Sequence, residues 1–472
     1  MKFIGREREL HVLNALYNKD GFQMMVLYGR RRIGKTFLLD KFAEGKDPLF
    51  YTGIESKGEE NLSEFSRAAL IKFTGAGAGA VFASYSDALD FITGQIREKG
   101  KEKKQLIILD EFPYMAASSP ELPSVLQRVI DRDWDRLNVM LVLCGSSITF
   151  MEEEVLGAKS PLFGRRTSQM DLAPFDYSYA ARFVQDYTPE EKAIVYGVTG
   201  GVAKYLSLFD PNRSLDENLV NQFFDPAGYL YEEPKNLLRQ EFRDISLYYT
   251  ILGVIARGET QLGKISGKAG FDTPKTAQAL RKLESVRIVR KDVPILNESK
   301  RNLSQYVLSD GMFRFWFRFI AGNENAIERG FGREYFAEAV KPRIHDYMGQ
   351  AFESICQSYT LSRGIKGDFG FTVTRTGKWR GADPEKKEQT DIDVVGVSSV
   401  GKHAVIGECK FTNAPEGKQE YDTLADRARL IAPYKAEKYI LFSLSGFTEW
   451  IKKKAEEDDK LMPISIGDLY EE

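Results

Sequence analysis

Eighteen residues near the amino end constrain this chain more than any other feature. Residues 24–41, MMVLYGRRRIGKTFLLDK, run from an apolar strand through Gly29-Arg30-Arg31-Arg32-Ile33-Gly34-Lys35-Thr36 into a helical pattern. A loop in that setting turns consecutive backbone N–H groups toward one point at the positive end of a helix dipole. Gly29 and Gly34 permit the turn, while Lys35 adds a compact positive charge and Thr36 a hydroxyl. The loop suits phosphate oxygens, with Lys35 between β- and γ-phosphates and Thr36 on magnesium. Outside such a context the same string is a basic strand-to-helix turn. Here the apolar run before it and the helical pattern after it favour the phosphate reading.

The surrounding pattern sets the fold class. From residue 10 to about 210, short apolar runs (MMVLYG, LFYTG, LIILDE, MLVLCGSS) alternate with helix-length amphipathic segments. This is how a parallel sheet with crossover helices reads. Charged and aromatic helical spacing follows over 215–245, then short helices with apolar strands over 246–320. The last part gives a helix, strands (FTVTR, DIDVVGVS, HAVIGECKF), a helix, a strand (KYILFSL) and a helix. The expected architecture is an α/β multidomain chain with units 1–215, 216–325 and 335–472, and 472 residues suffice for several cores. GAGAGA at 75–80 is the single low-complexity patch, read as a small-residue loop or loose helix end rather than a domain linker.

Composition removes several classes. With 43% apolar residues, and 66 Lys and Arg against 68 Asp and Glu, the chain is neither disordered, fibrous nor strongly basic. Cys144, Cys356 and Cys409 lie far apart, which excludes a disulfide framework and a zinc cluster and fits the cytoplasm. The start, MKFIGRERELHVL, lacks the apolar core of a signal peptide, and the longest apolar stretches fall short of a membrane span. No membrane partner is expected.

Two further strands end in polar groups. Gln105–Glu111 closes on Asp110, suited to organising magnesium, and Glu111, suited to polarising an attacking water as general base. Two acids after a strand can also simply cap a helix. Val139–Ser147 closes on Ser146 and Ser147, which could sense a γ-phosphate or cap the next helix. Downstream, Arg165 and Arg166 in SPLFGRRT could reach a phosphate on their own chain or, in a homo-oligomer, on a neighbour's. Their plainer reading is a solvated basic turn.

FIGREREL at 3–10, GRRRIGKT, LIILDE, LCGSS, SPLFGRRT and TGGVAKYL at 199–206 together resemble the archaeal-type ATPase family. This is a prokaryotic branch of the AAA-related P-loop class, near the signal-transduction ATPases with numerous domains (STAND). The resemblance implies ATP and magnesium as ligands and places Gly5 and Arg6 near the nucleotide. In that family the Gly-Gly segment usually continues with proline where this chain has Ala203, so the adenine-side contact departs from the family pattern.

Residues 246–295 read as a winged helix–turn–helix, with Gly270 in the turn and Pro274 in the first turn of the second helix. Over 257–291 there are nine Lys or Arg against three Asp or Glu, a surplus of six. Lys275, Gln278, Arg281 and Lys282 fall on the exposed face of the second helix, where they could meet DNA. A module for protein contacts or for covering nucleotide would present the same face. The following YVLSDGMFRFWFRFI is read as a core helix.

Near the carboxyl end, Asp391 and Asp393 share a strand face, fourteen residues intervene, and Glu408 and Lys410 share a face of the next strand. Acids converging there make a hard-oxygen site for magnesium, beside a lysine able to orient or deprotonate water. Glu353 is a candidate further ligand. The setting resembles the restriction-endonuclease-like PD-(D/E)XK fold, in which such ATPases often end. That resemblance makes Asp393 the metal aspartate, Glu408 the second acid and Lys410 the catalytic lysine, and it commonly has Glu in place of Asp391. The expected function is ATP hydrolysis coupled to DNA binding and DNA cleavage. The alternative is an ATP-switched regulator or scaffold with an inert nuclease-like domain.

Overall fold

The computed structural model describes residues 3–75, 80–98 and 103–471, so positions 76–79 of the GAGAGA patch lie outside the described residues. The chain divides into two compact units between Pro174 and Phe175. In the first, β1 (Gln23–Tyr28), β2 (Leu49–Thr52), β3 (Gln105–Asp110), β4 (Val139–Gly145) and β5 (Ser168–Asp171) form a parallel sheet ordered β2-β3-β4-β1-β5. β1, β3 and β4 are buried along their whole length. Met24, Val26, Ile107 and Leu141 pack into one core, whereas Met25, Leu27, Ile108 and Val142 pack into another. Helices on both faces therefore explain why these strands read as continuous apolar runs. β5 escapes a periodicity reading because three of its four residues, SQMD, are polar and none is fully buried.

The second unit begins with residues expected to belong with the first. Phe175, Val198 and Phe209 share one continuous core with Leu252, Trp316, Phe352 and Phe442. The three-part division 1–215, 216–325 and 335–472 thus follows the sequence styles, while the packed cores part at 174/175.

Helices Ile245–Ala256, Leu262–Ala269 and Thr273–Ser285 precede an antiparallel hairpin, β6 (Val289–Asp292) with β7 (Gln305–Leu308). Gly270 at φ 73° ends one helix, and the Asp272 carboxylate accepts the Lys275 N–H at 2.7 Å to start the next. The following helix Gly311–Phe319 is a core element, as read: Phe313, Phe315 and Trp316 are fully buried, and the Trp316 indole donates to the Tyr231 carbonyl at 2.7 Å.

The last sheet is ordered β12-β11-β10-β9-β8, from β8 (Arg375–Asp383), β9 (Glu388–Val397), β10 (His403–Lys410), β11 (Lys435–Ser443) and β12 (Leu461–Ser465). β8, β9 and β10 run antiparallel, whereas β10, β11 and β12 are parallel. The strand expected at FTVTR starts later, at Arg375, because Val373 turns into the core beside Gly364 before the ladder begins. β12 was not expected; it is a short edge strand carrying Pro463. The segment after β6 covers the free edge of β8: the Ile295 N–H donates to the Lys378 carbonyl at 2.9 Å, and the Asn297 amide to the Arg380 carbonyl at 2.8 Å. Among the described residues no helix is long and apolar enough to cross a membrane.

Candidate functional site

The strand order brings the first group of residues together. β4 lies between β1 and β3, so the loop after β1, the acids closing β3 and the serine after β4 sit at adjacent carboxyl ends. Ligands of open parallel sheets bind at such an edge. Gly29 has φ 150°, and a Cβ there would lie 2.4 Å from the Leu172 carbonyl oxygen, so no other residue fits without moving the backbone. Gly34, at φ 89°, opens the helix Lys35–Ala43. The Lys35 ammonium is buried and donates to the Gly29 and Arg30 carbonyls at 3.0 Å each. Burial holds its pKa below the usual lysine value, against the pull of Glu111 and Asp110.

The Thr36 hydroxyl donates to Asp110 Oδ2 at 2.7 Å. A hydroxyl and a carboxylate in contact are the hard-oxygen donors that magnesium takes beside a nucleotide, so these two residues fit that ion. Glu111 has φ 47°, a left-handed conformation costing roughly 1–3 kcal/mol in a residue with a side chain. Its carboxylate accepts the Ser146 N–H at 3.2 Å and the Ser146 hydroxyl. Arg6 reaches the same loop, donating to the Ile33 carbonyl at 3.3 Å and to the Ala173 carbonyl at 2.7 Å. Arg31 donates to the Tyr114 hydroxyl at 2.9 Å, an aromatic partner that sequence reading missed. Arg165 is not turned to the loop: its guanidinium forks onto Asp131 at 2.8 and 2.6 Å. Arg166 and Arg32 are half-buried.

The second group lies in the carboxyl-terminal sheet. β9 and β10 pair from Ala404/Val397 to Gly407/Val394 and then part. At the opening, Asp393 Oδ2 accepts the Cys409 N–H at 3.2 Å in place of a ladder bond. On the other side of β9 the register shifts between Gly377 and Trp379, where three steps on β9 match two on β8. This bulge sets Lys378 opposite Asp393.

The Lys378 ammonium contacts Glu353, Asp391 and Asp393 at 3.0, 2.9 and 2.9 Å. Glu408 is held separately, by Lys410 at 2.7 Å and Arg427 at 3.3 Å. Burial and the Asp393 charge push the Glu353 carboxyl up to about 7 and raise Glu408 as well. The expected acids therefore do converge, but around an ammonium. Oxygen ligands of this type suit a hard cation; with Lys378, Lys410 and Arg427 in place, the group as it stands is already compensated and does not fit a divalent ion. Among the described residues no cluster of three or more His, Cys, Asp and Glu is disposed to hold a metal.

Lys378, Arg427 and the buried Glu416 were missed. Nothing local marks Lys378 in GKWRG, because only the bulge and the tertiary pairing aim it. Asp391 also borders a polar cleft of about 480 Å³ with Gln261, Asn302, Gln305 and Arg380. In the helix–turn–helix, Lys275, Gln278, Arg281 and Lys282 are all exposed, as expected.

Comparison with known proteins agrees with an ATPase reading of the amino-terminal part. Residues 3–209 match the family model described as an ATPase domain predominantly from Archaea. Residues 316–422 match a family described as archaeal and bacterial proteins of unknown function. An uncharacterized protein of Methanocaldococcus jannaschii is 29% identical over 440 residues, covering 93% of this chain and 94% of its own. An uncharacterized ATP-binding protein of the same organism is 46% identical over 44 residues, 9% of this chain and 75% of its own. Among solved structures, a Walker-type ATPase of Pyrococcus abyssi aligns with TM-score 0.50 at 18% identity, covering 67% of this chain and 96% of that one, a likeness of fold.

Proposed function

We propose that the chain binds and hydrolyses ATP to switch a DNA-binding carboxyl-terminal half, a reading supported by the match of residues 3–209 to an ATPase domain predominantly from Archaea. The observation that carries the ATP reading is the contact between the Thr36 hydroxyl and Asp110 beside the buried Lys35. The loop Gly29–Thr36 would cradle the phosphates with its N–H groups, and Lys35 would exchange its two carbonyl partners for phosphate oxygens. Thr36 and Asp110 would hold magnesium, which supplies charge stabilisation to the phosphoryl oxygens. Glu111 would take the proton of the attacking water once Ser146 releases its carboxylate. Ser146 would then be free to sense the γ-phosphate. Arg165 and Arg166 would serve a phosphate only after Arg165 leaves Asp131, as a neighbour in a homo-oligomer could require.

ATP with magnesium should stabilise the wild type by about 2.7 kcal/mol at a hundredfold excess over Kd. Lys35→Ala should lose that shift in a thermal melt. Glu111→Gln should keep it while phosphate release slows by roughly 100-fold or more. An unaltered ATP shift in Lys35→Ala would remove the assignment.

For the output we propose DNA binding through the winged helix–turn–helix, supported by the exposed Lys275, Gln278, Arg281 and Lys282. DNA cleavage through Asp393, Glu408 and Lys410, with Glu353, is proposed only for a form in which Lys378 has left the acids. With Lys378 in place the domain is an inert platform, which is the second reading that the three lysine contacts favour.

A further inference from the structure

We propose that Lys378 is the resident cation of the carboxyl-terminal acid group and keeps divalent metal out of it. This rests on the reading of those acids as a hard-oxygen site. An ammonium has three N–H donors, and Lys378 finds three carboxylates, one each from Glu353, Asp391 and Asp393, at 2.9–3.0 Å. The lysine and its three acids come from three different elements: β8, the helix Ile344–Lys366 and the bulged β9. Their convergence on one nitrogen is a tertiary feature that helix or strand neighbours do not produce.

The lysine is also well anchored. Its side chain is 19% exposed. Its backbone carbonyl is fixed by Ile295, whose side chain packs with Trp379 in a core of its own. Asp393 is fixed too, through the Cys409 N–H on its carboxylate and the Gln357 amide on its carbonyl at 2.8 Å. Asp393 is thus held in position by groups of the chain itself.

A divalent ion needs oxygens at about 2.0–2.6 Å, inside the space that the ammonium fills. Its charge would also be opposed by an ammonium sharing the same ligands. Taking the lysine away leaves three carboxylates aimed at one point with no counter-ion, an arrangement that a divalent ion can relieve. Lys378 therefore decides whether this domain is a metal protein. Glu408, bound by Lys410 and Arg427, stands ready beside Asp393 but outside the lysine's reach.

The test is manganese titration by calorimetry on the nucleotide-free full chain. Lys378→Met should bind manganese at least tenfold more tightly than wild type, and Lys378→Arg, which keeps the charge, should behave as wild type. A thermal melt checks that each variant is folded. Lys378→Gln replaces the methionine variant should the latter fail, and adding Glu353→Gln to either should weaken the new site. Equal, tight binding by wild type and Lys378→Met would overturn the proposal while leaving the acids as a metal site. Absence of binding in both would overturn it together with the cleavage reading.

Discussion

At the scale of single residues, Glu416 ties stability to pH, although it is 2% solvent-accessible. It lies between β10 and the helix Lys418–Arg427, and among the described residues neither carboxylate oxygen has a hydrogen-bond partner. Burial, and then the charge of Glu408, push its pKa up to about 9. In the unfolded chain it returns to about 4.5, so between those values the folded state binds the extra proton. Stability from this group is therefore complete below about pH 4.5 and is lost as pH rises toward 9. Glu416→Gln imitates the protonated form. It should match wild type near pH 4.5 and exceed it by on the order of 2 kcal/mol at pH 8 in denaturant melts. An identical difference at both pH values would mean that the carboxyl is not held protonated. Glu353 shifts in the same direction, but it is common to both proteins and cancels from the comparison.

At the scale of elements, the helix Thr273–Ser285 carries the DNA proposal. Its Thr276, Ala279, Leu280 and Leu283 are buried, which leaves the opposite face to Lys275, Gln278, Arg281 and Lys282. If that face lies on phosphates, Lys275→Ala with Arg281→Ala should weaken binding evenly across DNA sequences. It should also lower the slope of log K against log salt by about two, one per contact. Alanine at Lys452 and Lys453, on the helix Glu449–Glu457, is the control. A slope unchanged in the first variant and altered in the second would place the phosphate contacts elsewhere.

Elements such as this helix were legible because their cues are local: Gly270 closes one helix, Pro274 opens the next, and buried positions recur at helical spacing. The phosphate loop and the acids after β3 were legible for the same reason, since each follows a fully buried strand directly. What sequence could not carry was register. Asp391 and Asp393 read correctly as one face, yet the lysine between them and Glu353 comes from a bulge whose position is set only when β8 pairs with β9. The polar β5 and the proline-containing β12 were missed because edge strands, buried less, lose the apolar signature. Residues 175–209 read as a continuation of the first sheet but pack into the second core, because helices of similar amphipathicity do not announce their partner.

At the scale of the molecule, the near-zero total of 66 basic and 68 acidic residues averages over segregated charge. Six surplus positive charges gather over 257–291, while Asp391, Asp393 and Glu408 of the last sheet gather with Glu353 of the helix Ile344–Lys366. The proposed sites for nucleotide and DNA lie in different units, one before Pro174 and one after Phe175. If ATP switches DNA binding, the two must share a coupling free energy, and thermodynamic linkage makes it reciprocal. A coupling of about 1–3 kcal/mol would change DNA affinity 5- to 150-fold when a non-hydrolysable ATP analogue binds, and DNA would change analogue affinity by the same factor. Using Glu111→Gln with ATP gives a second measure in which hydrolysis does not drain the bound state. Lys35→Ala should retain the DNA affinity of the nucleotide-free wild type and show no response. Two ratios that both equal one would mean that the ATPase and the DNA-binding half merely share a chain. Two unequal ratios would mean that nucleotide or DNA occupies more than its proposed site. Equal ratios different from one are what a switch requires.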